Sequence, residues 1–442
     1  MQTTPFLTEY DSPDSESKGS LDPLGLYSIA DLLAEKLVPG VRERQSHPRF
    51  LTAIAVSALV CSKFDDNTVA KDKISEPWQV FEWYMVEGLV RRLDGSELRG
   101  VPGREKAIAA IKDNVPLSAN RYLKTPVVFG FHGVYRVLAR NLGILNINGD
   151  LEDNGYELVK TWANENGIPG FVNSEEGEGS VYRDQLYSAI KKSLDQGSTA
   201  MSNGWSGWDF FQHFLHPSKI NKNEAQRILN VLLDTQAGFR KNVIEFLISN
   251  KGQQILRNSN GDENESSNER KFHLGLKDEA SVELKKLIET IIEYEKFSRL
   301  LQDYFDDCRF FLSGKTGKTN IKDLVSISSS KNTYKDVTEI FPKVNDLLLN
   351  YKIDFSRFQS LGEQSNLLDW VTALVEHHIR VQREKPPSGK SPWLIKDDLN
   401  NIAIYPDYRV DKGGLHDESY LHFYRTRALW SFLIDLKVIK DE

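Results

Sequence analysis

Two adjacent histidines, His377 and His378, stand in the stretch VEHHIRVQREKPPSGKSPW at 375–393, ahead of Arg380, Arg383, Lys385, Lys390 and Trp393. Two kinds of chemistry suit these residue types. An imidazole can move protons, and a run of cations beside an aromatic ring can grip a phosphate backbone while a base stacks. A solvated helix end is the third reading. Pro386-Pro387 stops a helical pattern over 367–382 in which Leu368, Val371, Leu374, Val375 and His378 fall near one face. His377 and His378 are therefore assigned to helix packing, and the cations with Trp393 to a contact surface for DNA. A pocket joining both histidines to Asp397 would bring back an enzyme reading.

Other stretches approach catalytic patterns and fall short. SGKTGKTN at 313–320 lacks the glycine a phosphate loop needs, since Arg309 and Leu312 hold the two possible places, and a helix precedes it where a strand belongs. His213 and His216 lie three apart, but no carboxylate in register completes a metal site. GWSG has no glycine two places after its serine, so it is not a nucleophile elbow. Asp306 and Asp307 are neighbours on a helix and point about 100° apart. Asp411 and Lys412 adjoin, without the intervening residue that would put acid and lysine on one strand face. No catalytic residue, cofactor or metal is expected from these patterns.

Composition narrows the class. The chain has 442 residues, 40% hydrophobic and 27% charged, as in a globular protein of two or three domains. Its longest apolar run, FLTAIAVSALVC at 50–61, is far short of the roughly 20 residues a membrane span needs. The first residues show no basic and apolar leader, and Cys61 and Cys308 show no pairing logic, which together point to a reducing cytoplasm and no membrane. A net charge of −7 argues against coating nucleic acid with the whole surface, though one local basic patch remains compatible with it.

These residues must be positioned by helices. The fold class expected is mainly α, a multi-lobed helical protein with an embedded winged helix-turn-helix and few short strands. A flexible tail over 1–20 leads into an N-terminal helical region, 21–104. A winged helix-turn-helix over 105–175 comes next, and then a second helical region, 176–256. RNSNGDENESSNERK carries no aliphatic or aromatic residue, so 257–272 reads as a disordered linker. A long-helix region, 273–345, contains apolar steps of three or four from Leu284 to Phe305, and 346–442 is a C-terminal helical region with the basic loop.

The winged module rests on order. A helix ending near Pro116, a second through Val137 and Leu138 to Leu142-Gly143, a tight ribbon around Asn148-Gly149 and a third helix from about Glu152 follow one another. Arg136 and Arg140 share a face of the second helix, with Arg121 and Lys124 just before it, where they could neutralise phosphates. Phe131, His132 and Tyr135 read as core or base-stacking residues. The string GVYRVLARNLGIL with GDLEDNGYEL resembles winged helices, whose second helix enters the major groove.

LDPLGL, PWQVFEWYMVEGLVRR, ELRGVPG, FLHPSKI and the 377–393 stretch together resemble a group of bacterial proteins. These are encoded beside helicases, methyltransferases or nucleases in phage-defence islands. That resemblance implies a non-catalytic DNA-binding or target-engaging accessory subunit, with double-stranded DNA and such enzymes as partners. It carries over no catalytic residue. A structural adaptor that docks a helicase or nuclease through the 281–312 helix, without touching DNA, is the alternative.

Overall fold

A computed structural model describes residues 22–173, 176–234, 238–257, 262–386 and 389–440; the expected flexible tail lies outside them. The chain runs α1 (Tyr27–Leu37), α2 (Arg49–Cys61), α3 (Pro77–Arg92), α4 (Arg104–Lys112), α5 (Pro126–Phe129), α6 (Phe131–Asn141) and α7 (Asp153–Glu165). It continues with α8 (Glu178–Gln196), α9 (Gly207–Phe214), α10 (Lys222–Leu233), α11 (Arg240–Ile248), α12 (Asn250–Arg257) and α13 (Asp262–Glu279). Then come α14 (Val282–Ser313), β1 (Thr319–Asn320), α15 (Ser330–Leu349), α16 (Gln359–Gly362), α17 (Leu367–Glu384), β2 (Leu394–Lys396), β3 (Asn401–Ile404) and α18 (Thr426–Asp435). The protein is mainly helical. It divides into two compact units, one from the residues up to Leu37 with Asn250–Tyr424, the other from Val38–Ser249 with the residues from Arg425 on.

In the first unit α14 is the spine. Ser281 caps it, its Oγ accepting from the Leu284 amide at 3.3 Å, and the three-and-four spacing buries Leu284, Leu287, Ile291, Tyr294, Phe297, Leu301 and Phe305. α1, α13 and α15 pack against it. A small antiparallel sheet in the order β1-β3-β2 pairs Thr319 with Ile402 and Leu394 with Ile404.

Two expectations are corrected here. The linker expected to be disordered holds helix from Asp262 onward, while 258–261 lie outside the described residues. Further along α13, Phe272 and Leu276 are buried, so this helix has an apolar anchor that the window 257–271 did not contain. Within the expected C-terminal helical region, 346–442, the last helix begins only at Thr426, because the amides of Leu421 and Tyr424 are taken by Glu295 Oε2 at 2.6 Å and Glu269 Oε1 at 3.0 Å.

In the second unit α2 is apolar nearly all round and buried along its length, and α3, α6, α7 and α8 surround it. α3 starts with proline after a reciprocal capping pair, Glu76 and Gln79. α6 ends where Gly143 turns left-handed at φ 63°, letting the Ile144 amide reach back to the Ala139 carbonyl at 2.9 Å. A tight turn follows, closed by one antiparallel bridge between Leu145 and Leu151. Asn146 Oδ1 organises it, accepting from the amides of Asn148, Gly149 and Asp150 at 2.8, 2.9 and 3.0 Å.

Gly149 sits at φ 101°, a conformation a β-branched side chain resists. Gly149→Val is therefore expected to destabilise this unit by roughly 1–3 kcal/mol. An unchanged melting temperature would show that the turn relaxes freely.

Candidate functional site: the α6 face and the cavity behind it

The sequence-derived site residues fall in both units. Arg121 and Lys124 are exposed in the turn before α5, and Arg136 and Arg140 are half-buried one turn apart on α6. Arg140 donates to the Ile147 carbonyl and so braces the hairpin. Burial, then the neighbouring Arg140, lowers the pKa of Arg136 from its ordinary value. Phe131 and Tyr135 are fully buried, which removes them from any base-stacking role; they pack on Phe50 at 5.3 Å each.

The 375–393 stretch belongs to the other unit and is largely structural. His377 Nε2 meets the Leu24 carbonyl at 2.8 Å and His378 Nδ1 the Pro23 carbonyl at 2.9 Å. Burial lowers both imidazoles, to about 4 and about 3, so both are neutral at ordinary pH. Asp397 instead pairs with Lys318 at 3.0 Å and orders the turn before β3.

Two of the expected DNA contacts are corrected. Lys385 is buried and its ammonium donates to the Asp22 carbonyl. Trp393 is 7% exposed, stacked on Tyr408 at 4.9 Å with the Arg309 guanidinium 4.6 Å over its ring. Neither can reach a nucleic acid without unpacking the unit. Arg380 and Arg383 stay exposed and Lys390 half-exposed, but the groove that Arg380 and Arg383 line also carries Glu376, Glu384, Asp397 and Asp398. His213 is exposed while His216 is buried beside Glu97 at 3.2 Å. Among the described residues no group of three or more His, Cys, Asp or Glu could hold a metal ion.

A constellation without a sequence pattern lies behind α6. The Glu82 carboxylate from α3, wholly buried, accepts from Tyr122 Oη at 2.8 Å and from the His132 amide at 3.0 Å, so it caps the first turn of α6. Gly130 leaves room for it, since a Cβ there would stand 1.9 Å from Glu82 Oε1. The same carboxylate faces His132 Nδ1 at 3.2 Å, and His132 Nε2 faces Ser57 Oγ, from α2, at 3.1 Å. Burial lowers the His132 pKa and the Glu82 partnership opposes this, so the ring is neutral at pH 7. A carboxylate can only accept, so Nδ1 carries the proton and Nε2 accepts from the serine.

Ser57 and His132 line a cavity of about 200 Å3 between α2, α3, α6 and the hairpin, with Cys61, Trp78, Arg136 and Leu145 among its other walls. Trp78 lies 4.9 Å from the His132 ring. Burial pushes the Cys61 thiol up to about 12, against a side-chain hydrogen bond shared with Ser57, so no thiolate forms there near neutrality. Ser57, Glu82, Tyr122 and His132 come from four separate stretches, and no spacing rule links them. Comparison with family models, with curated proteins and with solved structures finds no match for this chain.

Proposed function

We propose that the chain is a DNA-engaging accessory subunit of a bacterial antiviral assembly, working in the cytoplasm and touching duplex DNA through α6 and its hairpin. The observation that carries this reading is the order of α4, α5, α6, a one-bridge hairpin turned by Asn146 and Gly149, and α7, which is the order of a winged helix-turn-helix. Arg136 and Arg140 lie on α6, and the exposed Arg121 and Lys124 precede it. The defence setting rests on the resemblance of the 21–103, 214–220 and 377–393 phrases, with the winged-helix string, to proteins of phage-defence islands. No helix among the described residues is long and apolar enough to cross a membrane.

Docking of a helicase or nuclease through α14 has less to work with, because its apolar stripe is covered within its own unit. Val282 and Phe310 are its large apolar side chains that remain exposed.

Replacing Arg121 and Lys124 with glutamine is expected to weaken duplex binding almost equally on every sequence. The log–log salt slope should fall by up to about two units, roughly 0.9 per lost phosphate contact. Arg136→Gln should either do the same or shift sequence preference, if its guanidinium reaches a base edge. Unaltered mobility shifts in all these variants would reject the DNA reading.

A further inference from the structure

Four polar side chains form a line that ends at a cavity. Tyr122 Oη donates to Glu82, Glu82 orients Nδ1 of His132, and His132 Nε2 accepts from Ser57 Oγ. The two ring contacts, 3.2 and 3.1 Å, sit at the edge of hydrogen-bond reach, as catalytic contacts do before substrate tightens them. The geometry points to an acyl-transfer site in the cavity between α2, α3 and α6, with Ser57 as nucleophile, His132 as its base and Glu82 as the positioning carboxylate.

The roles follow from position. Ser57 is wholly buried at the inner wall of the cavity, and of the four it alone has a hydroxyl facing an imidazole. His132 has its other nitrogen fixed by Glu82, so Nε2 presents a lone pair to the hydroxyl. Glu82 is itself fixed from the far side by Tyr122 and the α6 amide, so the imidazole cannot swing away. Arg136 is the one cation among the cavity's described walls, which also carry Asp65, Asp66, Glu76 and Asp150, and so the one side-chain charge there that could balance an oxyanion. The volume of about 200 Å3 and the Trp78 and Leu145 walls suit a small carboxylic ester or other acyl derivative with an apolar part.

The step balances with water as the second reactant. Ser57 Oγ forms a bond to the acyl carbon while its proton moves to His132 Nε2. The carbon–oxygen bond to the alcohol breaks, and the departing alkoxide takes that proton. Water then adds its oxygen to the acyl carbon and gives a proton to Nε2, which returns it to Ser57 Oγ as the carboxylic acid leaves. An alkyl fluorophosphonate would report the first half alone, losing fluoride as phosphorus bonds to Oγ.

The test incubates the full chain with a small alkyl fluorophosphonate and maps the adduct by mass spectrometry, alongside turnover of p-nitrophenyl acetate. The expected results are an adduct on Ser57, its absence in Ser57→Ala, and labelling about 100-fold slower in His132→Gln, the size of a general-base contribution. Because His132→Gln also alters packing, the wild-type pH profile gives a second readout. Labelling should be flat through pH 7–8 and fall only below the ordinary histidine value of 6.5, where the ring takes a proton. If the line serves only to cap α6, the same substitutions change the melting temperature and nothing else. No adduct at Ser57 in the folded protein, labelling undiminished in His132→Gln, or ester turnover surviving Ser57→Ala would each overturn the assignment.

Discussion

Glu295→Ala is expected to cost the α14-centred unit about 3–5 kcal/mol, the usual loss when one member of a buried charged network is removed. Its Oε1 accepts from His422 Nδ1 at 2.8 Å and Tyr424 Oη at 2.7 Å, and its Oε2 from the amides of Leu421 and His422 at 2.6 and 3.2 Å. One truncation withdraws the acceptor from all four donors, in a site where the carboxylate and both aromatic partners are buried. At about 2–4 °C per kcal/mol for a unit of this size, the melting temperature should fall by roughly 10 °C.

The same residue predicts a pH dependence. Burial opposes its ionisation, but His422, Tyr424 and the Leu421 amide prevail, holding the pKa below the ordinary 4.5. A depressed acid stabilises the fold above its unfolded pKa and loses that contribution as pH falls through the folded value. The gap between wild type and Glu295→Ala should thus be full at pH 7 and narrow below about pH 4.5. A gap of equal size at pH 7 and pH 3 would show that neutral packing, and not the charge, holds the 419–424 segment.

Arg49→Met should cost the other unit a similar amount, about 3–5 kcal/mol, by stranding a buried carboxylate. Arg49 Nη2 lies 2.9 Å from Glu224 Oε2 with the two side chains 2% and 0% exposed, and it also donates to the Phe214 carbonyl at 2.9 Å. Thr52 Oγ1 completes the carboxylate's contacts at 2.7 Å. Burial already raises the Glu224 pKa against the pull of Arg49, so losing the guanidinium should raise it further. Arg49→Met with Glu224→Met should recover most of the loss, since two apolar side chains of similar length need no partner. Urea unfolding of the three variants measures this, and a double variant no better than the single one would contradict the stranded-charge account.

Much of the helical framework was legible in the residues. Leu142-Gly143 marks the end of α6, and the three-and-four steps from Leu284 to Phe305 mark the buried face of α14. Each of these signals lies within a turn or two of the backbone it shapes, so periodicity and capping chemistry suffice to read it. Gly149 likewise announced its turn, although Asn146 rather than Asn148 supplies the side-chain hydrogen bonds.

Tertiary structure decided which polar groups are inside. Lys385 looks solvated beside Arg383 and Glu384, yet its ammonium finds the carbonyl of Asp22 from the far end of the sequence. The 257–272 stretch lacks apolar residues over most of its length, yet Glu269 within it is buried against Tyr424. Ser57, Glu82 and His132 are ordinary helix residues until α2, α3 and α6 pack together and bring His132 within 3.2 Å of Glu82 and 3.1 Å of Ser57. A buried polar group is stable only with a partner, and the chain supplies that partner from any distance once packing excludes water. Local pattern therefore specifies helices, while the proton-carrying line and the buried charges exist only in the folded arrangement.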